Sequence, residues 1–310
     1  MAKHHLGSSI RTDQVRPLTD GWFNTVYSVS FKNNQPKLVL RVAPDPAMRL
    51  LDYEKHLMRS ELKIHELVRD TTDIPLPDVL AHDFSQQVIE RDYMLLEHYS
   101  GQPLSHIRDQ LPVKSQQSID RQLGIYTNQI HTVTGNTFGY PGRKSQQATS
   151  WHSAFGKMLG ALLSDGDQLG TKLPVPPANI LSFYHGAKSS FEEIEVPRLV
   201  HWDLWDPNIF VIQENDTWQI EGIIDWERAF WGDPEAEIFM LTKQADDVFY
   251  TTYGKSLGTA KDARVRQTFY RIHLWMVMLI EASVRFENPK HLEYAEKSLK
   301  QDWEDLVRIA

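Results

Sequence analysis

The chemistry-bearing residues gather in one stretch, LVHWDLWDPNIFVIQENDTWQIEGIIDWERAFWGDPEAE. It carries His201-x-Asp203-x-x-x-x-Asn208, and Asp225 follows at the end of an apolar run. Taken singly, an Asp or Asn at such a place is an ordinary turn or strand-end residue. The spaced set, with apolar strands on each side, points to more. RLVHWD reads as a strand entering a loop, NIFVI as a strand leaving it, and WQIEGIID as its antiparallel return. That hairpin brings Asn208 and Asp225 towards one end, near Asp203. Two carboxylates and an amide oxygen are hard oxygen donors that suit Mg²⁺, which takes one or two carboxylates together with phosphate and water. A further carboxylate nearby orients a hydroxyl. Such a set suits phosphoryl transfer, where catalysis is mostly positioning and charge neutralisation. A metal-hydrolase reading is weaker, because no second His stands at ligand spacing from His201.

These residues resemble the aminoglycoside phosphotransferase and choline kinase group, small-molecule relatives of the protein kinases. The resemblance rests on H-x-D-x-x-x-x-N followed by the I-D-W-E segment. It implies Asp203 as catalytic base, Asn208 and Asp225 as metal ligands, and His201 as a loop-shaping residue. It also implies ATP or GTP as co-substrate, Mg²⁺ as cofactor and a small-molecule hydroxyl as acceptor.

The same resemblance directs attention upstream. DGWFNTVY, with Gly21 and Asn24, stands where the family covers the phosphates; alone it reads as a hairpin turn. In LVLRVA, Arg41 stands where many relatives have Lys, keeping the charge but changing the geometry. Lys37 falls on the same strand face as Arg41, nearer the strand's start. Glu54 and Glu61 both fall on the stripe Leu50, Glu54, Leu57, Glu61, Ile64, Val68, and periodicity does not choose between them. The family pattern favours Glu61 as partner of Arg41, with Glu54 read as a solvated helix edge. YMLLEHYS resembles the hinge strand, which assigns the backbone of Glu97, His98 and Tyr99 to the purine.

Three function classes fit such a motif: a small-molecule kinase, a protein-modifying kinase, and a nucleotide-binding relative without activity. The chain has Asp225-Trp226-Glu227 in place of D-F-G and no A-P-E segment, which disfavours a protein kinase. Asp203, Asn208 and Asp225 are all intact, which disfavours an inactive relative.

The elements that must position these residues follow from the rest of the chain. Residues 15–43 read as a short antiparallel meander. Asp45 and Pro46 have the form of an N-cap and first helical residue, opening a helix that ends before Pro75. PDVLAHDFS and RDYMLLEHYS read as two more strands. Helical patterns follow at roughly 115–133, 151–164, 180–192, 234–249, 262–286 and 290–309. Asp233-Pro234 reads as the cap of the fourth, and His131 as a structural helix-end residue. The expected architecture is α+β: a two-lobed, protein-kinase-like fold. Its β-rich nucleotide-binding lobe is expected over residues 1–98, and its helical lobe, with catalytic loop and substrate site, over 99–310.

The 310 residues suit about two domains. Hydrophobic content of 41% and charged content of 24% are ordinary for a globular chain. The absence of Cys excludes a disulfide framework and thiolate chemistry. The net charge of −8 and the lack of a basic tract argue against a nucleic-acid partner. The N-terminal stretch has no secretory apolar region, and no segment is long and apolar enough to span a bilayer. A cytoplasmic protein without membrane contact is the expectation.

Overall fold

The computed structural model describes residues 12–19, 21, 23–32, 36–237, 247–285 and 288–309. In chain order the first strands are β1 (Thr12–Leu18), β2 (Thr25–Phe31), β3 (Leu38–Val42), β4 (Val79–Asp83) and β5 (Tyr93–Glu97). Then come β6 (Gln102–Pro103), β7 (Arg198–Val200), β8 (Ile209–Glu214), β9 (Thr217–Ile223) and β10 (Phe230–Gly232). The helices begin with α1 (Leu57–Thr71), α2 (Val113–Thr132), α3 (Trp151–Leu169) and α4 (Pro177–Gly186). They continue with α5 (Lys188–Glu192), α6 (Asp247–Tyr253), α7 (Lys261–Ala282) and α8 (Pro289–Ile309).

The chain divides into two compact units. The first comprises Met1–Arg49, Ile74–Ser115 and Asp206–Ile224. The second comprises Leu50–Asp73, Gln116–Trp205 and Asp225–Ala310. In the first, β1 to β5 form an antiparallel sheet of order β1-β2-β3-β5-β4. Alternation sorts its side chains. Leu38, Leu40 and Val42 of β3 are buried in a cluster with Val29, Phe31, Tyr93 and Leu95. Val39 and Arg41 fall on the opposite face. A second sheet in this unit has the order β6-β8-β9. Its hairpin turns through Asn215 and Asp216, with φ of 47° and 62°. Left-handed backbone at both positions is what a two-residue hairpin loop requires, and Asn and Asp tolerate it.

The second unit is mainly helical, with the short β7–β10 pair inside it. Trp151, Phe155, Tyr184, Phe191, Phe269 and Tyr270 form an aromatic centre to its core. Among the described residues no helix is long and apolar enough to cross a membrane.

Three sequence expectations need correction or narrowing. Asp45-Pro46 opens a β-turn, not a helix: Ala47 N–H donates to Asp45 Oδ1 at 2.8 Å, and Met48 N–H to Asp45 O at 2.8 Å. The helix begins only at Leu57. Glu54 is therefore not on the helix but in a 3₁₀ turn, Asp52–Glu54, and is 2% exposed. It accepts Leu51 N–H at 2.8 Å and pairs with Arg285, so it is not a solvated edge. The helix expected over 180–192 starts earlier, at Pro177, and breaks at Ala187. Pro177 suits a first turn, where its missing N–H goes unused. Most of the helix expected over 234–249 lies outside the described residues.

Candidate active site

In the first unit, Gly21 and Asn24 precede β2. A Cβ at Gly21 would meet only Val26 Cγ2, at 4.0 Å, so the protein's own packing does not demand glycine there. Arg41 stands opposite Val26 of β2 and Met94 of β5 in the sheet register. β5 ends in Glu97, whose N–H donates to Asp78 O at 2.9 Å. The Glu97 carboxylate accepts Asp78 N–H at 3.3 Å. His98 Nδ1 lies 2.6 Å from Tyr99 O; since a carbonyl only accepts, Nδ1 carries the proton. The Tyr99 ring covers Gly222, where any Cβ would clash with it, and packs on Phe210 at 5.4 Å. Beyond it, Glu221 accepts the N–H groups of Ser100 and Gly101 at 2.9 and 2.7 Å. The segment after β5 is thereby fastened to the β8–β9 hairpin.

Asn208 opens that hairpin and is 7% exposed. Ile209 pairs with Ile223, and Asn208 O accepts Ile224 N–H at 3.0 Å. Asp225 is the next residue in the chain. Two residues before Asn208, Asp206 is also buried, at 8% exposure. Its Oδ1 has no hydrogen-bond partner among the described residues. The Asn208 amide oxygen is a hard donor of the kind a divalent cation takes together with a carboxylate and waters.

In the second unit, the backbone around Asp203 is held by Glu237, a residue that the sequence reasoning missed. Glu237 is fully buried, and its Oε2 accepts the N–H groups of His201 and Trp202. Burial pushes its carboxyl up to about 7, although these donors pull the other way. His201 Nδ1 accepts Asp203 N–H at 3.2 Å, and its ring lies 4.4 Å from that of Trp226. Trp202 has φ of 69°, a left-handed conformation rare for a bulky residue and costing on the order of 1 kcal/mol. The two bonds to Glu237 and the buried ring stabilise it. Trp202 and Trp226 are thus packing residues, while Trp205 is 36% exposed. Asp225 also has φ of 69°, a region that Asp enters more readily.

The turn Trp226–Arg228 packs against α1, the helix that carries Glu61, which is 3% exposed. Arg228 pairs with Glu281 at 2.9 Å. Its guanidinium stands 5.7 Å from the Tyr53 ring and 5.8 Å from the Trp202 ring. Burial, the largest single influence, works against its charge, but Glu281, Tyr53, Asp203 and Glu227 together outweigh it and hold the guanidinium well above the ordinary range. Downstream, Asp233 Oδ1 accepts Glu235 N–H at 3.1 Å, as a cap does. Its Oδ2 takes Arg266 Nε at 3.0 Å and Tyr270 OH at 2.8 Å. His131 is buried with Nδ1 2.8 Å from Tyr253 OH, a packed helix-end histidine.

A family model described as the phosphotransferase enzyme family matches residues 14–269. Comparison with curated proteins finds no match. Among solved structures, a candidate fructosamine-3-kinase from Haemophilus somnus 129PT is 17% identical, with TM-score 0.69, covering 97% of this chain and 94% of its own. A candidate aminoglycoside phosphotransferase from Ralstonia eutropha JMP134 is 15% identical, with TM-score 0.64, covering 99% and 96%. A thermostable mutant of aminoglycoside phosphotransferase APH(4)-Ia, solved with AMP-PNP and hygromycin B, is 17% identical, with TM-score 0.63, covering 96% and 95%. At these identities the likeness is one of fold: the α+β, protein-kinase-like fold of the phosphotransferases.

Proposed function

The chain belongs to the phosphotransferase enzyme family, and on that premise we propose that it moves the γ-phosphoryl group of ATP or GTP, with Mg²⁺, to a hydroxyl of a small molecule. Asp203 takes the hydroxyl proton. Asn208 and Asp225 hold the ion, which neutralises charge on the phosphates. Gly21 and Asn24 cover the phosphates, Arg41 contacts them, and the backbone of Glu97, His98 and Tyr99 meets the purine. The observation that carries this reading is the hydrogen bond from Ile224 N–H to Asn208 O. It supports Asn208 and the carboxylate that follows Ile224 as the metal ligands, since an amide oxygen and a carboxylate are hard donors that suit Mg²⁺ with phosphate and water. The roles of residues 1–98 in nucleotide binding and 99–310 in acceptor binding belong to the same proposal.

The acceptor is set by side chains that no motif marks. The structural neighbours include complexes with kanamycin and GDP, and with hygromycin B and AMP-PNP. Both nucleotides therefore belong in the test. Purified protein is given ATP or GTP, Mg²⁺, and a panel of aminoglycosides, fructosamines, choline, ethanolamine, macrolides and sugars. Acceptor-dependent nucleotide consumption is expected with one class. No Mg²⁺-dependent nucleotide binding and no consumption with any acceptor would overturn the proposal.

Arg41 offers a narrower test. Arg41→Met is expected to weaken nucleotide binding about tenfold or more, since a hydrogen bond to a charged group contributes about 1.5–3 kcal/mol. Arg41→Lys keeps the charge and should lose less. Wild-type affinity in Arg41→Met, by calorimetry, would remove Arg41 from the phosphates.

A further inference from the structure

The β8–β9 ladder slips by one residue near its start. Phe210 pairs with Gly222 but Val211 pairs with Ile220, which leaves Glu221 as the extra residue of a β-bulge. A bulge breaks the alternation of a strand and re-aims the side chain it carries. Here the carboxylate reaches the segment that follows β5. Glu221 Oε1 accepts Ser100 N–H at 2.9 Å, and Oε2 accepts Gly101 N–H at 2.7 Å. Bonds to a charged acceptor are about twice as strong as neutral ones.

Two glycines permit the close approach. A Cβ at Gly101 would clash with Val211 O, and one at Gly222 with the Tyr99 ring. Gln102 and Pro103 of β6 then pair with Val211 and Phe210. The bulge thus adds a second attachment to the same hairpin, at the residues next to Tyr99. The two parts that it joins have different tasks in the proposed reaction. The backbone of Glu97, His98 and Tyr99 meets the purine, and the hairpin begins with Asn208, which holds the ion on the phosphates. A ligand with two ends gains affinity when its two subsites stand at its own span, because the second contact forms at high effective concentration.

We propose that Glu221 is a positioning residue for the nucleotide. By holding Ser100 and Gly101, its carboxylate fixes the spacing between the purine-contacting backbone and the hairpin that carries Asn208, so that the base and the Mg²⁺-triphosphate bind as one ligand. This rests on the phosphotransferase reading above.

The test compares three probes in Mg²⁺: the intact nucleotide (ATP or GTP, whichever the wild type binds more tightly), its nucleoside, and inorganic tripolyphosphate. Calorimetry gives the first, and competition against it gives the other two. The thermal midpoint with no ligand reports folding. Glu221→Ala is expected to weaken the intact nucleotide about tenfold, since the subsites lose their fixed spacing. The nucleoside and tripolyphosphate should each stay within about threefold of wild type, because neither spans both subsites. Glu221→Gln keeps one acceptor oxygen in place of two and should fall between. Where Glu221→Ala does not fold, Glu221→Gln decides by the same comparison. An unchanged nucleotide affinity in a folded variant overturns the inference alone. So does an equal loss for nucleotide and nucleoside, which would confine Glu221 to the purine subsite. A wild type that binds the nucleotide no more tightly than tripolyphosphate has no purine contact to couple, and overturns it too. A wild type that binds neither ATP nor GTP in Mg²⁺ overturns the phosphotransferase reading, and this inference with it.

Discussion

Asp203→Asn is expected to slow phosphoryl transfer by about 10²–10⁴-fold, the usual contribution of a positioned general base. Nucleotide affinity in Mg²⁺ should stay near wild type. Asn fills the same space but takes no proton from the acceptor hydroxyl. The loop should survive the change, because its bonds are made by backbone groups. Asp203 N–H donates to His201 Nδ1, Trp205 N–H donates to Asp203 O at 3.1 Å, and Glu237 holds the two residues before. Steady-state rates with whichever acceptor the panel identifies, beside nucleotide titrations, separate the two effects. Turnover within about threefold of wild type would remove Asp203 from the role of base. Lost nucleotide binding would mean that its carboxylate serves the metal instead.

Local spacing made part of this structure legible and left part out of reach. The alternation in TVYSVSF and LVLRV reports strands directly, because one face must be buried. The ENDT turn reports the β8–β9 hairpin, since Asn215 and Asp216 accept left-handed backbone. Asp45 misled for a physical reason: an Asp oxygen accepting N–H two residues on is the same bond in a β-turn and at a helix start. The next helical residue decides, and Leu51 to Lys55 supply a 3₁₀ turn between extended residues instead. Glu237, Asp206 and Glu54 stayed hidden because their partners are far away in sequence. Arg108 is 98 residues from Asp206, and Arg285 is 231 from Glu54. No periodicity encodes such a pair. In GDPEAE the only local hint of Glu237 was an acid at the end of a motif, which reads equally as a first-turn helix charge.

The Glu54–Arg285 pair should give the largest loss of stability. Glu54 and Arg285 side chains are 1% and 5% exposed, and Arg285 also stands 3.7 Å from Glu281. Burial raises the Glu54 carboxyl above its ordinary range despite the attraction of Arg285. Arg285→Met strips a buried carboxylate of its counter-charge, which costs about 3–5 kcal/mol. The penalty should depend on pH with a definite sign. A carboxyl raised in the folded state folds best when protonated, so stability is lost as pH rises through its folded value. Without Arg285 that value moves higher still. Denaturant unfolding of Arg285→Met should therefore show a small deficit at about pH 5 and a larger one at about pH 8. Adding Glu54→Gln should recover most of the loss: Gln still accepts Leu51 N–H through its amide oxygen and brings no charge into the core. A deficit below about 1 kcal/mol at both pH values, as for an exposed pair, would mean that water reaches Glu54 and the pair is not buried. Failure of Glu54→Gln to restore stability would instead place the loss in the Arg285 contact with Glu281, and through Glu281 in the Arg228 guanidinium stacked on Trp202 beside Asp203.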